Sequence, residues 1–149
     1  PGDVNTSGCV SLPGRLTVNG DVDLQAGATF LVQLGGIAAG VDYDQLQVNG
    51  LVDLTGLLDG TSGAVLEASL TFAPLWGSMW RIVANDDADA VDTRFDGLKE
   101  CAFASLGGTL ANISYSASDG TPTDGHNDVV LTVAGRFDST AGARRPARC

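Results

Sequence analysis

The sequence predicts an all-β chain built as a short β-solenoid, with a β-sandwich or jelly roll as the alternative arrangement. Two observations lead there. The segment Leu16-Thr17-Val18-Asn19-Gly20-Asp21-Val22-Asp23-Leu24 returns as Leu46-Gln47-Val48-Asn49-Gly50-Leu51-Val52-Asp53-Leu54, with seven of nine residues matching at an offset of 30. A period of about 20 to 50 residues marks stacked arrays. In addition, no window of about 11 or more residues carries a 3.6-residue apolar stripe, and short Leu and Val runs are punctuated by scattered glycines, which is the pattern of strands joined by tight turns.

Each copy of the repeat holds Asn-Gly between alternating apolar residues, which is also a strong hairpin signal. Register argues against a hairpin. A two-residue loop would set Val18 opposite Asp21 and Leu16 opposite Asp23, mixing apolar and acidic side chains on one face. A three-residue loop would need a left-handed residue at Asp21 and again at Leu51, and Leu is poor there. As a corner where the chain turns without folding back, Asn-Gly lets Leu16, Val18, Val22 and Leu24 point inward while Thr17 and Asp23 point out. Stacking then places Asn19 over Asn49, where side-chain amides can form a ladder, with Gly20 and Gly50 as the structural glycines of the bend.

Further strands are expected at Ala28–Leu34, closed by Gly35-Gly36, at Leu57-Leu58, at Val65–Phe72 and at Met79–Ala84, with Pro74 interrupting between the last two. After the acidic stretch from Asn85 to Asp92 come Arg94-Phe95, Cys101–Ala104, Leu110–Tyr115 and Asp128–Val133. The organisation read from this is a lead-in segment over 1–14, a single β-solenoid-like domain over 15–135, and an Arg-rich flexible tail or linker over 136–149. The tail ends Arg144-Arg145-Pro146-Ala147-Arg148-Cys149 and has little to bury beyond Phe137.

Composition narrows the function. The chain has 149 residues, enough for one ordinary domain with a core. Only 6 % of residues are aromatic against 44 % hydrophobic, so the core is expected to be Leu, Val and Ala with a few rings. Eighteen acids face eight bases, a net charge of −10, and Lys99 is the single lysine. Such a polyanion repels nucleic acid and anionic lipid. No run approaches the roughly 18 apolar residues of a membrane helix, so membrane insertion is not expected. Beginning at Pro1 without Met, the chain reads as a processed product or a fragment.

Cys9, Cys101 and Cys149 show no Cys-x-x-Cys spacing, which disfavours zinc and leaves one disulfide plus a thiol as the natural count; Cys9 with Cys101 is the pairing considered first. Catalysis finds little to use. The one histidine, His126, lies in a turn-forming stretch before the last strand, and the usual nucleophile, phosphate-loop and metalloprotease motifs are missing. The expectation is therefore no enzyme and no cofactor, with calcium as the one ligand to consider. Hard cations take clustered carboxylates, and two stretches supply them: Asp86, Asp87 and Asp89, then Asp119, Asp124 and Asp128. Solvated turn residues are the plainer reading of both. Trp76 and Trp80 are the candidates for stacking on a polysaccharide, with core or end-cap packing as the plainer reading.

Four stretches together, Pro13–Val22, Tyr43–Gly50, Trp80–Asp86 and Gly125–Val133, resemble the terminal β-rich unit of large repetitive bacterial surface proteins and autotransporter-type passengers. The resemblance covers roughly residues 11–134 and rests on pattern, not on a catalytic motif. It implies an extracellular, right-handed β-solenoid whose last rungs close into a sandwich-like cap, serving at the cell surface as stalk, scaffold or adhesin support. The partners it implies are other copies or neighbouring domains, met through β-edge stacking. A self-assembling filament subunit and a polysaccharide-binding accessory domain are the alternative functions.

Overall fold

The computed structural model describes residues 12–57, 60–85, 91, 93–117 and 127–136. The described residues are all-β, with no helix among them. Ten strands follow in order: β1 (Arg15–Val18), β2 (Val22–Asp23), β3 (Thr29–Leu34), β4 (Gln45–Val48), β5 (Val52–Asp53), β6 (Val65–Leu70), β7 (Met79–Asn85), β8 (Phe103–Leu106), β9 (Thr109–Ala117) and β10 (Asp128–Arg136). They form one six-stranded mixed sheet of order β1-β4-β7-β10-β9-β8 and two parallel pairs, β2-β5 and β3-β6. No sheet closes on itself. No helix of the described residues is long and apolar enough to cross a membrane.

The first three strands and the next three run in the same order and pair in parallel, one for one. Arg15 to Val18 lie opposite Gln45 to Val48, and Val22 and Asp23 lie opposite Val52 and Asp53. The 30-residue offset of the sequence repeat is the register of both pairs. β3 then pairs with β6 from Thr29↔Val65 to Leu34↔Leu70, an offset of 36, because 54–64 is a longer connection than 24–28. β7 continues the first sheet, parallel to β4, with Leu46 opposite Val83.

Alternation within these strands places the core. In the second pass Leu46, Val48, Val52 and Leu54 are all buried. Their counterparts fare differently. Val18, Val22 and Leu24 are only partly buried, and Leu16 stays 64 % exposed. The reason is positional: among the described residues β1 is the margin of its sheet, so Leu16 has a neighbouring strand on one side only.

β7 marks the change from parallel to antiparallel. β10 pairs antiparallel to β7 and to β9, and β9 to β8. These strands carry much of the core, including Trp80, Ile82, Ile113, Tyr115, Leu131 and Val133. Rings fill the centre: Phe30 stacks on Phe95 at 5.8 Å between centroids, and Phe95 packs on Tyr115 at 6.3 Å.

Two strand expectations differ from the structure. Leu57 is in no strand and is exposed; its neighbour Gly56 makes an isolated bridge to Arg94, and Leu58 lies outside the described residues. Arg94-Phe95 likewise makes isolated bridges only, held by Arg94 N donating to the Gly56 carbonyl and Asp96 N to the Ala64 carbonyl. Residues 1–11 and 137–149, which contain most of the lead-in segment and nearly all of the Arg-rich tail, lie outside the described residues.

Candidate functional site

The two Asn-Gly corners lie one on the other. Asn49 Nδ2 donates to Asn19 Oδ1 at 2.7 Å, and Gly20 N donates to the Asn49 carbonyl at 3.1 Å. Beside them Leu51 N donates to Asp21 Oδ1 at 2.9 Å, while Val22 N donates to the Leu51 carbonyl at 2.8 Å. The approach is close enough to require glycine below: a Cβ on Gly50 would sit 2.7 Å from Gly20 C and 2.8 Å from Gly20 O. A Cβ on Gly20 would meet nothing within 4 Å. Both side-chain contacts run one way, with the first pass accepting and the second donating.

This asymmetry belongs to a larger one between the two ends of the parallel strands. At the near end β1, β2 and β3 each have a single neighbour among the described residues. Because Gln45 N and Asn49 N donate to the carbonyls of Gly14 and Val18, alternation turns the peptide groups of Arg15 and Thr17 away from β4. The same logic turns Asp21 and Asp23 away from β5, and Thr29 and Leu31 away from β6, since Val22, Leu24, Ala28 and Leu34 use theirs inward. Leu16 and Leu31 are exposed here, beside a cavity of about 350 Å³ lined also by Leu12, Phe30, Val32 and Leu46. At the far end the cover is partial, and β6 has β3 as its one partner strand among the described residues. β10 lies beyond β7, and segment 93–96 bonds the bend that follows β5, with Leu54 N donating to Thr93 Oγ1 at 2.6 Å and Arg94 N to the Gly56 carbonyl.

The stretch Tyr43-Asp44-Gln45 ties the passes together. Asp44 accepts from Gly14 N through Oδ1 and from Gln33 N through Oδ2, each at 2.8 Å. Gln45 Nε2 donates to the Arg81 carbonyl at 2.9 Å, and Tyr43 Oη accepts from Arg81 N at 3.3 Å. Burial of Tyr43 pushes its phenol above the usual tyrosine value, and the Arg81 hydrogen bond opposes part of that rise. Tyr115 is pushed up further, again chiefly by burial, against the hydrogen bond from Phe95 N and the Arg94 guanidinium over its ring at 4.5 Å.

The residues singled out in the sequence fall in different places. Trp80 is corrected as a sugar-stacking residue. It is 0 % exposed, its Nε1 donates to the Gly36 carbonyl at 2.7 Å, and it meets Phe72 edge to face, so it has no ring face to offer. Trp76 is 75 % exposed. Gly77, at φ 82, turns the chain between them, so the two indoles do not share a face of one strand.

Asp128 is buried in an ion pair with Arg81 at 3.3 Å, and its Oδ1 accepts from Asn85 N at 3.0 Å. Both carboxylate oxygens thus have protein partners, which explains how the charge is tolerated inside. Asp86, Asp87, Asp89, Asp119 and Asp124, with His126, lie outside the described residues. No group of three or more metal-ligating side chains occurs among the described residues. Cys101 is exposed, at φ 64, while Cys9 and Cys149 lie outside the described residues, and the disulfide considered from Cys9 to Cys101 with them.

Sequence reasoning missed Asp21 and Asp44 as bridges between passes. Asp21 could have been found from the repeat itself, where Asp in one copy faces Leu51 in the other and only the first can accept. Asp44 bonds residues 30 positions earlier and 11 positions earlier, and nothing local signals that. No family model, curated protein or solved structure matches the chain.

Proposed function

We propose that the chain is a non-catalytic structural module of a bacterial surface or secreted protein: a short β-solenoid, acting outside the cell, whose coils stack through strand edges. One observation carries the reading. Successive three-strand passes pair in parallel and in register, with β1, β2 and β3 presenting unpaired edges at one end of the described residues and antiparallel strands continuing the largest sheet at the other. A unit with that polarity suits the end of a rod, and its hydrogen bonds and stacked apolar rows supply stiffness rather than a reacting centre. The acidic surface opposes lateral clumping. Calcium plays no part in the reading; Asp128, the only member of the two acidic sets among the described residues, pairs with Arg81.

Exposure of Trp76 favours a second reading, a polysaccharide-binding accessory domain. A glycan array and electron micrographs of the purified chain separate the alternatives. The scaffold reading expects no saturable glycan binding and single particles. Saturable binding that disappears in Trp76→Ala would replace it with the polysaccharide reading, and periodic fibres would replace it with a filament subunit.

A further inference from the structure

The corner stack is directional, and its direction specifies what can be added. Within the described contacts the upper pass supplies two acceptors, Asn19 Oδ1 and Asp21 Oδ1, and the lower supplies two donors, Asn49 Nδ2 and Leu51 N. By the repeat, Asn19 and Asp21 hold the positions of Asn49 and Leu51, so among the described residues their own Nδ2 and peptide N–H stand at the open end as the matching donors. The space fits as well: Gly20 has nothing within 4 Å of its missing Cβ, where Gly50 has the backbone of Gly20 pressed against it. Around the rim run the outward peptide groups of Arg15, Thr17, Asp23 and Leu31, and the apolar side chains of Leu16 and Leu31.

We propose that the open end receives one further coil of the same kind: a polypeptide segment with Asn-Gly-Asp at its corner, laid parallel to β1, β2 and β3 and in register with them. Its Asn accepts from Asn19 Nδ2, its Asp accepts from the Asp21 N–H, and its Leu and Val cover Leu16 and Val18. The inference rests on the solenoid reading and names its partner. Parallel strand addition provides main-chain hydrogen bonds, and the side-chain pockets provide selectivity. Head-to-tail addition of a second copy does not meet these terms, because the described far end has β10 antiparallel beyond β7 and segment 93–96 bonded to Leu54 and Gly56 just after β5.

The test supplies the coil in two ways: by duplicating residues 15–44 ahead of Arg15 within the full chain, and as a synthetic peptide of residues 15–44 added to the unaltered chain. Hydrogen exchange is read at the amides of Thr17, Asp21, Asp23 and Leu31. The expected result is slowing by about 100-fold in at least one arm, with a rise in Tm of about 5 °C for the duplicated chain. Thr17→Pro should remove both gains while leaving the unaltered chain's Tm within about 2 °C, since proline is tolerated where the N–H faces outward on an edge. Gly20→Ala should become far more damaging in the duplicated chain than in the unaltered one.

Exchange unchanged in both arms overturns the proposal. So does protection that the unaltered chain already gains by dimerising, seen as a doubled mass in sedimentation, because the occupant is then a second copy. Either failure leaves the scaffold reading standing as a self-contained unit. Glycan binding through Trp76 would remove that reading without touching the exchange result.

Discussion

Gly20 and Gly50 occupy equivalent corners, and replacing each by alanine isolates the contact between the passes. Backbone conformation alone ranks Gly20 as at least as sensitive, since its φ of 138 lies deeper in the region L-residues avoid than the 159 of Gly50. That strain costs about 1–3 kcal/mol. Contact reverses the ranking. At Gly50 the added methyl would lie 2.7 Å, 2.8 Å and 2.9 Å from Gly20 C, Gly20 O and Asp21 Oδ1. None of these is the loose end of a flexible side chain: two are backbone, and the third is held by Leu51 N. Overpacking of this kind adds about 1–3 kcal/mol. Gly50→Ala should therefore cost about 2–6 kcal/mol and Gly20→Ala about 1–3 kcal/mol. Urea unfolding followed by the fluorescence of buried Trp80 reads the difference as a midpoint lower by about 1 M for Gly50→Ala relative to Gly20→Ala, with the slope unchanged. Equal midpoints, or Gly20→Ala the worse, would mean that the corners do not press together in solution.

Arg81→Met should destabilise by about 3 kcal/mol, because it leaves the Asp128 carboxylate buried without its counter-charge; Asp128→Asn with Arg81→Met should recover part of that loss in a double-mutant cycle. Stability should fall in alkali. Tyr43 and Tyr115 have folded values raised above the ordinary 10.0, so both states are neutral below that pH and no stability is lost there. Above it the unfolded chain ionises first, and stability drops as pH rises toward the folded values, which urea midpoints measured from pH 8 to 11 will show or refute. Chelation by EDTA should move Tm by less than about 1 °C; a fall of several degrees would identify a stabilising metal and assign the acidic stretches to it.

What the sequence revealed depended on how local the signal was. All-β character followed from the missing helical stripe and from Gly between short apolar runs, and most strands lie within a few residues of where alternation put them. The 30-residue repeat carried register information because Asn-Gly is rigidly placed relative to Val18 and Val22, so the same offset governs β1 on β4 and β2 on β5. Leu16 was beyond this logic. Its alternation points inward, yet exposure is decided by whether a neighbouring strand exists. Trp80 was equally illegible, since its indole N–H is satisfied by the carbonyl of Gly36, 44 residues away. Leu57 looked like a strand from composition alone, but the close passage of Gly56 and Gly63 against the Arg94 carbonyl, which leaves no room for a Cβ on either, makes that region a glycine-lined crossing.

The unequal offsets of 30 and 36 arise from the connection between β5 and β6, which is longer than its counterpart between β2 and β3 while the strands on both sides keep their partners. Length and alignment are thereby decoupled: residues can be gained or lost in that bend without any strand changing its opposite number. For an engineer, the outward part of that bend is the natural place to graft a foreign epitope, and for a lineage of such chains it is where size can drift while the pairing pattern stays put.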